Sequence, residues 1–140
     1  MGMNKNMRAY GLYRRLTVEP NGQKRDSKMK LTISLPIISA NKLLRMHWAK
    51  RAKIQKDYYS AIYVVIPIYL HPPKQRKRKV IITSYRKRLL DKDNLYAGTK
   101  PLVDALKKAG LIWDDSPKWI NLEVKQAVDG KNQRTEVEIT

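Results

Sequence analysis

Apolar residues recur at two different periods along this sequence, and this pattern limits the fold more than any other feature. In four short segments apolar and polar residues tend to alternate, which is typical of strands that bury one face. These segments are 29–37, 79–85, 119–128 and 134–140. Two longer segments, 43–65 and 94–110, have the apolar spacing of helices. A turn at 129–132 joins the last two strands.

Three features refine this pattern. Segment 61–70 is rich in β-branched residues, so the first helix has the composition to change to a strand there. Pro101 should kink the second helix or lie in the first turn of its second part, and Gly110 should end it. With a strand at the end of segment 61–70 counted, the predicted order is β-α-β-β-α-β-β, a single α+β domain. We place this domain at 28–140, after a basic N-terminal arm (1–27) that is a candidate for disorder.

The formal net charge of +18 predicts a polyanionic partner: DNA, RNA or an anionic membrane. The membrane is the weakest of the three, because the longest apolar run (61–70) has about half the ~20 residues of a spanning helix. The N-terminus lacks the continuous apolar region of a signal peptide. We therefore expect a cytoplasmic, nucleoid-associated protein.

The residues available for chemistry are few. The sequence has no cysteine, which excludes thiolate zinc sites, disulfides and thiol catalysis. His47 and His71 are too few and too far apart to suggest a histidine-based metal site. Any metal ligands should therefore be carboxylates.

The carboxylates are unevenly distributed, since five of the 12 acidic residues fall between positions 91 and 115. They are Asp91, Asp93, Asp104, Asp114 and Asp115. If the segment "RLLDKD" is extended, Asp91 and Asp93 project to the same side. Two such carboxylates need a proton, a basic side chain or a divalent cation between them. Magnesium prefers oxygen ligands and can activate water against a phosphodiester, so a metal-dependent nuclease is the sharper prediction.

Spacing ranks the remaining residues. Lys100 lies two turns beyond Asp93 on an uninterrupted helix and would face the same side. Asp104 is better placed to pair with Lys100 at i,i+4 than to reach the same metal. Asp114 and Asp115 must fold back to join the site, and only one of them should be a principal ligand. The alternative is structural: Asp93 or Asn94 as a helix cap, and "DDSP" as a surface turn.

The segment "DKDNLYAGTKPLVDALKKAGLIWDDSPK" (91–118) resembles the RusA family of Holliday-junction resolvases, many of them carried by phages and prophages. The family pattern is Asp-x-Asp-Asn-Leu, then a lysine, then Asp-Ala-Leu, then an Asp-Asp pair after a glycine-containing turn. The matching residues are Asp91, Asp93, Asn94, Leu95, Lys100, Asp104, Ala105, Leu106, Gly110, Asp114 and Asp115. Weaker support comes from "LPIISANKLLRMHW" (35–48), which is similar to an early segment of the family.

The resemblance implies a RusA-like α+β domain with a mixed sheet and two main helices. It also implies a homodimeric, magnesium-dependent endonuclease that acts on four-way DNA junctions, with manganese as an alternative metal. Asp91, Asp93, Asp115 and Lys100 would be catalytic. Asp91, Asp93 and Asp115 would hold the metal, with Asp114 as a neighbouring candidate.

A set of basic residues would position DNA phosphates, and these carry no evident base code. They are Lys50, Arg51, Lys53, Lys56, Lys74, Arg76, Lys77, Arg78, Lys79, Arg86, Lys87 and Arg88. Two alternatives stay open: a non-catalytic nucleic-acid-binding phage protein, or a metal-dependent nuclease for flaps, forks or RNA.

Overall fold

The computed structural model describes residues 28–66 and 75–140. The predicted arm (1–27) and the basic residue Lys74 lie outside the described residues. In the described ranges four strands and four helices follow one another. They are β1 (Met29–Ile33), α1 (Ala40–Arg45), α2 (Trp48–Val65), β2 (Arg78–Arg86), α3 (Lys92–Gly98), α4 (Lys100–Lys108), β3 (Ile120–Val128) and β4 (Arg134–Ile139). The α+β class is confirmed.

The four strands form one mixed sheet in the order β1-β4-β2-β3. β4 pairs antiparallel with both β1 and β2, whereas β2 pairs parallel with β3. The turn at 129–132 therefore does not make a hairpin, because β2 lies between the two strands that it joins. β2 and β3 are instead connected through α3 and α4, as parallel neighbours require.

One face of the sheet carries the core. Val80 and Ile82 of β2 lie opposite Ile139 and Val137 of β4, and all four are fully buried or nearly so. Tyr58 and Ile62 of α2 and Leu102 and Leu106 of α4 belong to the same buried cluster. Each such aliphatic side chain contributes about 1.5–3 kcal/mol when fully buried. This packing fixes α4, and with it Lys100, against the sheet.

The first predicted helix is two helices. Ser39 caps α1, and His47 caps α2 by accepting a hydrogen bond at Nδ1 from the backbone N–H of Ala49 (3.2 Å). A single helix over 43–65 is therefore wrong at the Met46–His47 junction, where the backbone is extended. The change to a strand is wrong for 61–65, which remains helical; residues 67–70 lie outside the described part of the chain.

The second predicted helix is also divided, at Thr99. Pro101 has no N–H to continue the ladder, so α3 ends before it and α4 begins with it in the first turn. Gly110 ends α4 with a left-handed φ of 83°. Its N–H bonds to Lys107 and the N–H of Leu111 bonds to Leu106, the pattern of a Schellman cap. The predictions for Pro101 and Gly110 are confirmed.

Within the described ranges, none of the helices combines the length and apolar character that crossing a membrane requires.

Candidate active site

Asp91 is the N-cap of α3. Its carboxylate accepts hydrogen bonds from the backbone N–H of Asn94 (3.2 Å) and from the amide nitrogen of the same side chain (2.7 Å). These two bonds, the side-chain bond first, lower the pKa of Asp91. The cap predicted at Asp93 or Asn94 is therefore at Asp91, because its extended backbone places the carboxylate over the first turn.

Asp93 lies in the first turn of α3 and is exposed. The prediction that the chain stays extended through Asp93 is wrong, so the two-residue alternation of a strand does not relate it to Asp91. A carboxylate here is stabilised by the positive end of the helix dipole. The exposed position of Asp93 is therefore compatible both with a structural role at the start of α3 and with a catalytic role.

Asn94 connects α3 to α1. Its side-chain oxygen accepts a hydrogen bond from the backbone N–H of Asn41 (3.0 Å), in the first turn of α1. Gly98 brings the other end of α3 close to the same region, since a Cβ there would collide with the carbonyl oxygen of Ile38. The early segment 35–48 thus packs along the helix that begins at Asp91.

Gln126 of β3 holds the chain just before Asp91. Its amide oxygen accepts from the N–H of Leu90 (2.9 Å), and its amide nitrogen donates to the carbonyl of Leu90 (2.6 Å). This residue is not among those predicted from the sequence. The available signal was a polar side chain following Leu122 and Val124 in the alternation of β3.

Lys100 meets two carboxylates at the start of α4. Its ammonium donates to Asp115 and lies 3.0 Å from Asp104. Asp115 first, and then Asp104, raises the pKa of Lys100, so it is held in its charged form. The expected i,i+4 pair with Asp104 is confirmed, and the loop after α4 does fold back to bring Asp115 beside Lys100.

Asp114 contacts a different lysine. Its carboxylate lies 2.8 Å from the ammonium of Lys107, and this hydrogen bond lowers the pKa of Asp114. Lys100 and Lys107 are two turns apart on α4, so the adjacent aspartates bind at separate points of that helix. Of these two aspartates, Asp115 pairs with Lys100 and Asp114 with Lys107; that one of them is a principal metal ligand stays a prediction.

A cleft of about 710 Å³ opens beside Lys100 and Asp115. Tyr96 of α3 and Asn121 of β3 line it together with Lys77, one of the predicted phosphate-binding residues. A second cleft of about 620 Å³ shares Lys77 and Asn121 and is otherwise lined largely by basic and polar residues of the sheet. Four basic residues line the second cleft beside the acidic Glu138, and Lys77 connects this positive charge to the candidate site; they are Lys28, Lys77, Arg78 and Lys79.

The carboxylates of the candidate site are the groups that could hold magnesium. Carboxylate oxygens suit this ion, but Asp91, Asp114 and Asp115 each accept hydrogen bonds from nitrogen donors. Among residues 28–66 and 75–140, no group of three or more histidine, aspartate and glutamate side chains is placed to hold a metal. The donors therefore fit magnesium in chemistry, and nitrogen donors occupy three of these carboxylates in the described arrangement.

The predicted phosphate-binding residues occupy three regions. Those on α2 are exposed, and Lys53 among them pairs with Asp57 at 3.2 Å. Those at 76–79 lie at the start of β2, where Lys77 reaches both clefts. Lys87 and Arg88 follow β2 and are exposed.

Arg86 belongs to the scaffold. Its guanidinium donates to the carbonyls of Ile37 (2.7 Å) and Arg88 (2.8 Å) and to the hydroxyl of Ser84 (3.2 Å). Partial burial lowers its pKa. Because its donors bind the chain itself, we assign Arg86 to fixing the loop that leads to Asp91.

No family model matches this chain, and no curated protein is detectably similar to it. The resemblance to RusA therefore rests on the residues of segment 91–118, with weaker support from 35–48.

Proposed function

We propose that this protein is a magnesium-dependent, structure-selective endodeoxyribonuclease that resolves four-way DNA junctions by paired symmetric nicks. The observation that carries the proposal is the meeting of Lys100 and Asp115. These residues are separated by an entire helix and a loop, yet they lie together at a cleft that a third charged residue, Lys77, also lines. A charged lysine at a cleft in a protein of charge +18 is suited to a phosphate.

The reaction is hydrolysis of a phosphodiester. The oxygen of a water molecule forms a bond to phosphorus, the bond to one ester oxygen breaks, and a proton passes to that oxygen. Negative charge grows on the phosphate oxygens, and the ammonium of Lys100 stabilises it there. Asp115 orients Lys100 and keeps it charged.

Asp91, Asp93 and Asp115, with Asp114 beside them, are the residues that would hold magnesium. When bound, the ion would activate water and stabilise charge on the phosphate. Asn94 and Gln126 fix the position of Asp91 and of the chain before it.

Junction resolution requires two cuts related by two-fold symmetry. A two-fold homodimer supplies two sites in matching orientation, so a homodimer belongs to the proposal. The basic residues of α2 and of 76–79 would hold phosphates on the arms. Because phosphate contacts carry no base code, selection would follow the shape of the junction. Such an enzyme would act in recombination and repair, in the cytoplasm of a bacterial host of a phage or prophage.

A second candidate is a non-catalytic nucleic-acid-binding protein. The observation that favours it is the pairing of Asp91, Asp114 and Asp115 with nitrogen donors, which gives each acid a structural role. A nuclease for flaps, forks or RNA would use the same residues as a resolvase, so only substrates separate these two.

The experiment is cleavage of a labelled immobile four-way junction, with linear duplex, flap, fork and RNA substrates in parallel. Each is incubated with magnesium, with manganese or with chelator, and Asp93→Asn is the matched variant. Symmetric, metal-dependent nicks on the junction that the variant fails to make are expected. Binding of the junction without cleavage in either metal would establish the second candidate instead.

A further inference from the structure

An exposed aromatic pair lies at the start of α2. Trp48 is 68% exposed, although tryptophan is usually among the more buried residues. The ring of His47 lies 5.4 Å from it at an interplanar angle of 36°. His47 is held in place because its Nδ1 caps α2. We call these two residues the Trp48 platform.

The charged residues next to the platform in the sequence have one sign. No acidic residue occurs between Asp26 and Asp57 in the sequence, and neither α1 nor the first turn of α2 contains one. Four exposed basic side chains flank the platform: Lys42, Arg45, Lys50 and Arg51. These four cations would attract a polyanion, whereas a second copy of the same surface would be repelled by them.

The platform is close to the candidate active site. Asn41, in the first turn of α1, donates its backbone N–H to Asn94, which in turn binds Asp91. At most about 17 Å of chain separates the Cα atoms of Asn41 and Trp48, from the helical rise of α1 and the extended residues after it. This short separation allows one bound strand to contact both the platform and the end of the site at Asp91.

We propose that the Trp48 platform stacks against an unpaired base of the nucleic acid that the candidate site binds. Aromatic faces accept any base, and flanking cations hold the backbone without reading sequence. Bases in an uninterrupted duplex already stack on their neighbours, so the platform would favour strands and branch points over plain duplex. The proposal takes its ligand class, nucleic acid, from the proposed function and does not depend on cleavage.

The test is equilibrium binding in chelator, measured by fluorescence anisotropy with a labelled oligodeoxythymidine strand and a blunt duplex. The proteins are wild type, Trp48→Ala, Trp48→Phe and a matched control, Tyr63→Ala. Tyr63 is a 40% exposed aromatic on the same helix, about 22 Å from Trp48 along its axis. Thermal melts establish that each variant is folded.

Trp48→Ala should weaken strand binding about 5- to 150-fold, the range for stacking one base, and duplex binding by less than about twofold. Trp48→Phe should retain most of the affinity, and Tyr63→Ala should bind as wild type does. The slope of affinity against salt should not change for Trp48→Ala, because no charge is removed.

Unchanged strand binding, or an equal loss on strand and duplex, would overturn the platform. The proposal would also be wrong if the wild-type protein bound neither probe. It would be wrong as well if sedimentation showed that Trp48→Ala loses binding because a dimer dissociates. If wild type prefers the strand to the duplex through Trp48 but never cuts a junction, the proposed nuclease activity would be wrong and the Trp48 platform would stand.

Discussion

The side chain of Asn94 joins Asn41 to Asp91: its oxygen accepts from the backbone N–H of Asn41 at 3.0 Å, and its nitrogen donates to Asp91 at 2.7 Å. An aspartate at 94 could make the first bond but not the second. The amide is therefore oriented by a donor on one side and an acceptor on the other. Asn94 thus connects α1 to α3 and also positions the carboxylate of Asp91. The same side chain therefore serves helix packing and the geometry of the candidate site.

The first prediction separates capping from catalysis at Asp91. Asp91→Asn keeps an oxygen for the backbone N–H of Asn94 but places its own NH2 against the Asn94 amide nitrogen, so it should melt below wild type. Asp91→Ala loses both bonds and should melt lower still. Both should lose junction cleavage. Because the pKa of Asp91 is lowered, its contribution to stability is present above its unfolded pKa and is lost as the pH falls through the folded value. Thermal melts and cleavage assays on the two variants measure this. Full cleavage by Asp91→Asn would leave the residue a cap alone.

The second prediction concerns the approach of α3 to the early segment. Gly98→Ala places a Cβ against the carbonyl oxygen of Ile38, which cannot rotate away. We expect it to lower the free energy of unfolding by about 1–3 kcal/mol, although alanine is the better helix former. Gly130→Ala is the control, since its nearest neighbour would be the Lys87 side chain at 3.6 Å, and it should stay within about 0.5 kcal/mol of wild type. Urea unfolding compares them, and equal stability of the two variants would contradict the packing described.

The third prediction is an alkaline instability. Burial raises the pKa of Tyr58 to about 12, and its hydroxyl donates to the carbonyl of Pro36 at 2.6 Å. A raised folded pKa means that stability is complete below the unfolded value of 10.0 and declines as the pH rises toward about 12. About 1.4 kcal/mol should be lost by pH ~11.

Tyr58→Phe provides the comparison for this effect. It should be less stable than wild type near neutral pH, by about 1–3 kcal/mol, because the carbonyl of Pro36 loses its partner. The difference should shrink above pH ~10, because Tyr58 then begins to lose its proton in the unfolded state of wild type and phenylalanine has no such proton. Urea unfolding at several pH values measures it, and a constant difference would show that Tyr58 does not titrate as described.

The fourth prediction concerns Gln126. Gln126→Ala leaves the N–H and carbonyl of the partly buried Leu90 without their partner, at an expected cost of about 1–3 kcal/mol. Lys125→Ala, on the opposite face of β3, should change stability by no more than about 0.5 kcal/mol. Chemical unfolding of both variants decides this, and faster hydrogen exchange at Leu90 should accompany the loss in Gln126→Ala.

The fifth prediction concerns the cation between two carboxylates. Lys100→Met removes the ammonium that contacts Asp104 and Asp115, so these acids should repel and bind divalent cations more tightly. Magnesium should then raise the melting temperature of Lys100→Met more than that of wild type. Lys107→Met, which frees Asp114 on the same helix, is the control and should respond as wild type does. No gain in the Lys100 variant would show that these two acids do not form a cation site.

The elements that the sequence predicted well are those with a local cause. Alternation marked 79–85 and 119–128, and the strands are Arg78–Arg86 and Ile120–Val128. Gly110 and Pro101 act through their own backbone chemistry, so they could be assigned without tertiary structure. Alternation of apolar and polar residues defines the buried face of a strand but not the strand that pairs with it. The position of β2 between β3 and β4 was therefore not predicted.

The candidate site was predictable in part. Lys100 and Asp104 share a helix, so i,i+4 spacing alone placed them together. The cap at Asp91 was assigned to the wrong residues because aspartate and asparagine have similar cap preferences and three of them lie within four positions. Gln126 binds Leu90 across 36 residues of sequence, a relationship that no local pattern encodes.

All five clustered acids lie in the connection between two strands that are parallel neighbours, β2 and β3. The register of the sheet is set by pairing within the strands, and the connection has only to return the chain to the same edge. Replacing exposed residues within 87–119 would alter the chemistry while the sheet keeps its register, whereas Leu102 and Leu106 of the same connection belong to the core. The acids of the candidate site and the core residues of α4 thus share one connection, so the chemistry can change only at positions that the core does not use.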